Sequence, residues 1–425
     1  MQPVAQGCSS RSEADRCRRR GTMTRVLYDA VARTLAKSCA AGCERIVRMR
    51  LRRRSGPRSL QRVCIVAPLG HEKDGIAAGA LLQFQAMRRA GMDVAMIDAT
   101  AALEDPLFRR RHRPATVYVV HGEGPQTARL LGAVLPHAAQ AWRIAYWNWD
   151  LAHAPADWLR CDSIVSEIWT PSLFARSSLQ QISDRPMHVV PPIVTAADPP
   201  RRRNWSQPFT VLVMAGSTAT LQRTNPAGAI AAFIAAFGDA RDARLVVRLA
   251  DPAHRLGDLT SLAAFPNVSV LDGRMNPTEL SSLYRSADVL LSLHRSIGFG
   301  FPLLEAMSHG VPVVATHWSG NCDFVNWHNA VLVPYRLVPM TEPVDQQAGG
   351  VWAEPDIGFA AGALRRLRTD PQYYEALASA AYETVRDMEF HLPSQRPAPD
   401  LQRDRLRAKL LSQLGVDCGH TRALL

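Results

Sequence analysis

Apolar residues in this chain fall in short runs separated by glycine turns and by stretches of helical spacing. Arg62 to Ala67, Met92 to Ile97, Thr116 to Val120, Arg143 to Tyr146, Glu167 to Thr170 and His188 to Val190 read as strands. Ile76 to Ala90, stopped at Gly91, and Gln126 to Leu135 have helical spacing. Pro191 to Pro208 contains five prolines and three consecutive arginines, which predicts a linker. The alternation then restarts. Phe209 to Met214, Arg244 to Leu249 and Val268 to Leu271 are strands, and a helix runs from Asn225-Pro226 to Phe237, where Gly238 ends it. Asn276-Pro277-Thr278-Glu279 is a capping box. Asp288 to Leu293 and Val311 to Ala315 are strands flanking a glycine loop and a helix from Pro302 to Gly310. Strands alternating with helices predict an α/β protein with two Rossmann-like, doubly wound domains, 61–200 and 201–390, facing a cleft. Ligands of such sheets bind beyond the carboxyl ends of the strands.

With 425 residues, 47% of them hydrophobic, the chain can bury two cores. Its net charge of +12 is local: residues 1–62 hold 16 Lys/Arg against 4 Asp/Glu, and the remainder holds 34 of each. The body is therefore balanced and the excess sits in an N-terminal arm, 1–60. Arg25 to Val47 has amphipathic spacing between two arginine clusters, Arg18 to Arg20 and Arg48 to Arg54. Such an arm suits an anionic membrane surface, or it is a solvated extension. Met23 is a plausible alternative start. Nucleic-acid binding is not expected, because no basic face interleaved with aromatics occurs in the body. No run is long enough to span a bilayer. Charges at Asp29, Arg33 and Lys37 break any signal-peptide core, and the expected location is cytoplasmic, with a possible peripheral association at the inner membrane face. The eight cysteines form no CxxC pairs, and His309, His317 and His328 have no carboxylate at ligand spacing, so no metal or cofactor is expected. The tail, 391–425, has one candidate helix, Leu401 to Leu414.

The chemistry concentrates between Ser292 and Phe324. Gly298, Phe299 and Gly300 lead from a buried strand into a helix N-terminus, where free N–H groups and the helix dipole suit a phosphate. Glu305 is expected in the first turn of that helix, within reach of a ligand in the loop.

By these residues the chain resembles the retaining GT-B glycosyltransferases called family 4. Their signature is Glu, seven residues, Glu, written around GFG-P-LEAM and followed by G-PV-A. Here the second Glu is Glu305, and Ile297 occupies the first position. Tyr146 to Leu151, Trp169-Thr170-Pro171-Ser172, Arg223-Thr224-Asn225-Pro226 and His294-Arg295-Ser296 also match segments of bacterial members, over roughly residues 62 to 390. Thr224 stands where the family usually has Lys.

The resemblance implies transfer of a sugar from a nucleotide diphosphate sugar to a saccharide or lipid-linked acceptor, with retention and without metal. It implies that Gly298, Phe299, Gly300 and Arg223 hold the diphosphate, with Gly75 approaching from the other domain and Arg295 as a substitute cation. Glu305 would accept the ribose hydroxyls, and Gly320 and Asn321 would border the donor pocket. On the acceptor side, His121 and Asp150 are candidates to orient or deprotonate a hydroxyl; for each, a hydrogen-bonded structural role is the competing reading. Trp147 and Trp149 are expected in the core, with stacking on a sugar face as the competing reading. A non-catalytic nucleotide-sugar-binding homologue and, more distantly, an epimerase on the same fold are the alternatives.

Overall fold

The structure, a computed structural model, describes residues 62–69, 75–104, 112–135, 137–216, 220–249, 265–273, 275–340 and 350–389. The basic arm, the Pro68-to-Gly75 loop apart from its ends, and the tail helix lie outside the described residues.

The first sheet is built from β1 (Val63–Ala67), β2 (Val94–Asp98), β3 (Val117–His121), β4 (Trp142–Tyr146), β5 (Glu167–Thr170) and β6 (Met187–Val189), in the order β2-β1-β3-β4-β5-β6. Every pairing is parallel. Parallel strands are buried on both faces, which is why β1 and β3 are apolar without alternation and buried throughout. The helices α1 (Gly75–Arg89), α2 (Ala99–Glu104), α3 (Gln126–Gly132) and α4 (Leu173–Leu179) belong to this domain.

The second sheet comprises β7 (Phe209–Ala215), β8 (Ala243–Leu249), β9 (Val268–Leu271), β10 (Val289–Ser292), β11 (Val313–Thr316) and β12 (Val331–Val333), in the order β12-β11-β10-β7-β8-β9, again parallel. Around it lie α5 (Leu221–Thr224), α6 (Pro226–Phe237), α7 (Pro277–Ser286), α8 (Phe301–Ser308), α9 (Ile357–Thr369) and α10 (Pro371–Glu389). The capping box at Asn276 forms in full, with Glu279 returning to the Asn276 N–H at 2.7 Å. An antiparallel hairpin, β13 (Tyr335–Pro339) and β14 (Val351–Pro355), reaches the first domain, where Trp352, Val338 and Met340 join its core. The spacing of apolar residues does not predict α2, α4, α5, β12, the hairpin, α9 or α10. Their signals are short or marginal, although Asp356 caps α9 and Ala360, Ala361, Leu364 and Leu367 mark its buried face.

No helix or strand occupies the linker between β6 and β7. It is nevertheless docked. Arg201 and Arg203 turn inward onto the buried Asp288 carboxylate, Arg203 at 2.6 Å, and Arg203 lies over the Trp205 and Phe209 rings at 4.4 and 4.8 Å. Asp288 also accepts the Thr210 N–H at 2.7 Å, which ties the linker to the edge where β7 and β10 meet.

Candidate functional site

The glycine loop leaves the carboxyl end of β10, at the middle of the second sheet. Gly300 closes it at φ +100, the left-handed region that suits glycine, and caps α8. Gly298 is where the two domains meet. Its N–H donates to the Asp150 carboxylate, and its carbonyl accepts from the Ser172 hydroxyl. The Ser296 hydroxyl donates to the Asp150 carbonyl. A Cβ at Gly298 would sit 2.1 Å from Asn148 Oδ1 and 2.7 Å from the Trp149 carbonyl oxygen. From the other side, a Cβ at Gly320 would fall 1.9 Å from the Gly298 carbonyl oxygen. The Gly320 N–H donates to the Ile297 carbonyl at 2.9 Å, and the Ile297 N–H donates to Ser319 Oγ at 3.0 Å. Three chain segments thus stack closely, with no room for a side chain at Gly298 or Gly320.

Asp150 has its second oxygen on Arg223, 2.9 Å from the buried guanidinium. Arg223 is set in place by its neighbours. Its carbonyl accepts the Arg295 N–H at 2.7 Å, and Asn225, left-handed at φ 51, caps α6 and donates to the Leu293 carbonyl at 2.9 Å. Asp150, Arg223, Gly298 and Gly320 are therefore brought together, with Asp150 acting here as an interdomain tie. Arg295 points elsewhere: its guanidinium holds Glu354 of β14 at 2.8 and 3.4 Å and the Gln222 carbonyl at 3.0 Å, and it lies over Trp352 at 5.2 Å. Thr224 donates its hydroxyl to the Thr220 carbonyl at 3.0 Å.

Glu305 lies in the second turn of α8, one turn beyond its expected place, because the helix begins at Phe301 and its first turn carries no acid. The Tyr284 hydroxyl donates to its Oε2 at 2.7 Å. Burial raises the Glu305 pKa, and the Tyr284 hydrogen bond and the Arg248 charge work against that rise. Phe299 is a core residue, packed edge-on to Phe301 and tilted against Phe324. Asn321 is buried, with Oδ1 3.1 Å from His294 Nε2 and its amide donating to the Thr316 carbonyl at 3.0 Å. Burial pulls His294 down to about 4. Gly75 opens α1 and is exposed, with no atom near its Cβ direction.

His121 ends β3 but sits inside the first domain. Its ring stacks on Tyr146 at 4.3 Å, Nε2 is 2.7 Å from Gln83 Oε1, and burial pushes its pKa down to about 3, so it is neutral. Trp147 and Trp149 pack edge-on to Trp158 in the core. Ser172 and Ser296 stood only within the family-like segments, with no expected role, and Tyr284 and Arg248 were not expected at the site. Arg248, at the carboxyl end of β8, was the most readable of these, since a cation at that edge of the sheet faces the ligand side.

Among the described residues, no group of three or more His, Cys, Asp or Glu is placed to hold a metal ion, and no helix is long and apolar enough to cross a membrane.

Residues 210–341 match the family model described as "Glycosyl transferases group 1". No curated protein sequence matches the chain. Among solved structures, Anabaena HepE in complex with UDP and glucose is 12% identical, with a TM-score of 0.57 over 83% of this chain and 100% of that one. A glycosyltransferase from Rickettsia africae is also 12% identical, at 0.55 over 84% and 99%. Staphylococcus aureus TarM, in complex with UDP and saccharide ligands, is 10% identical, at 0.52 over 74% of this chain. The chain spans 58% of TarM's length. Two parallel six-stranded sheets with these structural counterparts make the architecture the two-domain, Rossmann-like GT-B fold.

Proposed function

We propose that the protein is a retaining glycosyltransferase that moves a sugar from a nucleotide diphosphate sugar to a saccharide or lipid-linked acceptor. The observation that carries this reading is the meeting of the Gly298 N–H and the Arg223 guanidinium on one anionic group. A loop amide and a buried cation that converge on a carboxylate form a site of the right charge for a diphosphate. In the substrate complex the diphosphate takes over these two donors. They neutralise the charge that grows on the leaving group as the glycosidic bond breaks. The Asp150 carboxylate, released from both, turns to the acceptor hydroxyl as its base, while His121, buried against Gln83 and Tyr146, keeps a structural role. Glu305 accepts the ribose hydroxyls. The UDP bound by HepE and the family match over 210–341 support the donor class.

Ile297 offers the transferred sugar no hydrogen bond. The loss of one charged hydrogen bond in the transition state is about 1.5–3 kcal/mol, or roughly 10- to 150-fold in rate. The enzyme is therefore slow but competent, or takes a donor with an apolar group at that position. The basic arm holds the protein to anionic membrane surfaces, where a lipid-linked acceptor would lie.

A thermal-shift screen with UDP, GDP, ADP and TDP tests the donor site, and donor hydrolysis then tests catalysis. Stabilisation by one diphosphate followed by hydrolysis of its sugar is expected. No shift with any of them overturns the reading, and a shift without hydrolysis leaves a binding protein in place of an enzyme.

A further inference from the structure

Glu305 is held from one side only. Tyr284 on α7 donates its hydroxyl to Oε2, and no described residue donates to Oε1. The Tyr284 ring is itself fixed: it is almost fully buried and lies parallel to the His309 ring, 5.8 Å away at 20°. His309 in turn has Nε2 3.5 Å from the Ser281 hydroxyl on α7. Arg248, at the carboxyl end of β8, supplies the nearby positive charge and is anchored to the Gly273 carbonyl at 3.4 Å. The half-buried carboxylate therefore has one oxygen tied to a rigid ring and the other uncommitted, at the edge of the sheet where ligands bind.

Building on the reading of Glu305 as the ribose acceptor, we infer that Tyr284 is a positioning residue for nucleotide recognition, fixing Glu305 so that Oε1 alone faces the ribose hydroxyls. A carboxylate on a flexible side chain samples several rotamers, and holding one geometry before the ligand arrives removes that ordering cost from binding. Nothing else about Tyr284 requires a hydroxyl. A phenylalanine fills the same volume and stacks on His309 equally well. Its contribution is thus to ligand discrimination, separable from packing.

The test compares each of UDP, GDP and ADP that binds with its 2′,3′-dideoxy counterpart, by calorimetry, on the full chain. The wild-type protein favours the hydroxylated form by about 10- to 150-fold, the value of a hydrogen bond to a charged group. Tyr284→Phe lowers that ratio at least several-fold while leaving affinity for the dideoxy form unchanged. Glu305→Asp keeps the charge, shortens the reach to Tyr284 and lowers the ratio as well, which covers the case of poor folding by the first variant. A Tyr284→Phe ratio equal to wild type overturns the positioning role while leaving Glu305 as a ribose ligand, and a Glu305→Asp ratio equal to wild type overturns the ribose contact itself. A wild-type ratio near one, or no nucleotide binding at all, overturns the ribose reading itself and this inference with it.

Discussion

Two glycines expected at the donor site, Gly298 and Gly75, respond in opposite ways to the addition of one methyl group. At Gly298 the new Cβ meets Asn148 Oδ1 at 2.1 Å, the Trp149 carbonyl oxygen at 2.7 Å and Asp150 Oδ1 at 2.8 Å. One of these is backbone, so a rotamer change alone does not relieve the overlap. The domains must separate by a substantial fraction of an ångström, and the Gly298 N–H then loses its hold on the Asp150 carboxylate. Overpacking costs about 1–3 kcal/mol, and a hydrogen bond to a charged group adds about 1.5–3 kcal/mol. Gly298→Ala should therefore destabilise by about 2.5–6 kcal/mol, which for a domain of 150–250 residues is about 5–24 °C in Tm. Gly75→Ala meets nothing within 4 Å at the start of α1. It should leave Tm unchanged or raise stability by about 0.4–1 kcal/mol, through the restricted unfolded chain. Differential scanning calorimetry on both variants decides the matter. A Gly298→Ala protein that melts with wild type, or a Gly75→Ala protein that falls as far, refutes the close stacking of loop on loop.

Four other outcomes are expected. Glu167, buried in β5 against Trp169 Nε1 at 2.9 Å, has its pKa raised to about 7 by burial, so its contribution to stability is lost as pH rises from about 4.5 through 7. Glu167→Gln should accordingly gain about 2–3 kcal/mol relative to wild type at pH 8 compared with pH 5, as read from urea midpoints. His121 and His294 act with the opposite sense: both are held neutral with lowered pKa values, so their share of stability is complete above about 6.5 and drains as pH falls toward 4. In the Glu167→Gln background, unfolding midpoints should drop between pH 7 and pH 5. Asp288→Ala leaves Arg203, only 4% exposed at its side chain, without its counter-charge and should cost about 3–5 kcal/mol in equilibrium unfolding. Deleting residues 1–58 should abolish sedimentation with anionic liposomes; unchanged sedimentation would remove the membrane role of the arm.

The elements that repeat a simple physical pattern were legible. Doubly buried strands are unbroken apolar runs, and β1, β3 and β7 fall within one or two residues of where those runs place them. Helix signals that use two residues at fixed spacing, such as Asn276 with Glu279, were equally readable. The edges of the second domain were not. The hairpin strand Tyr335–Pro339 is largely exposed, so its sequence carries little burial pattern. The site was readable as a set of candidates and unreadable as a geometry. Asp150 and Arg223 were each visible in the sequence, yet nothing local shows that they pair across the domain boundary. Arg295 looked like a spare cation until the position of Glu354, 59 residues away, was known. Pairings at such separation are set by the assembled sheets and leave no periodic trace in the chain.

The manner in which the linker is fastened limits how the two lobes can travel. Ile193 packs on Ala86 of α1 and on Ala90 just beyond it, and the Thr195 hydroxyl accepts from Arg89, while Val194 between them already packs with the core of the second lobe. From Ala196 onward the second lobe takes over: Glu389 accepts the Ala196 N–H, the Ala197 N–H donates to Ser308, and the Arg201 N–H donates to His309. The crossover is thus compressed into residues 193–196, whose contacts alternate between the lobes, with the end of α10 beside it through Glu389 and Arg89. A connection that short acts as a swivel pin and not as a tether. The lobes can rotate about it but can hardly slide, so a ligand entering near Gly298 would be admitted by a small turn about an axis through residues 193 to 196, with Asp150 and Arg223 swinging apart on the far side.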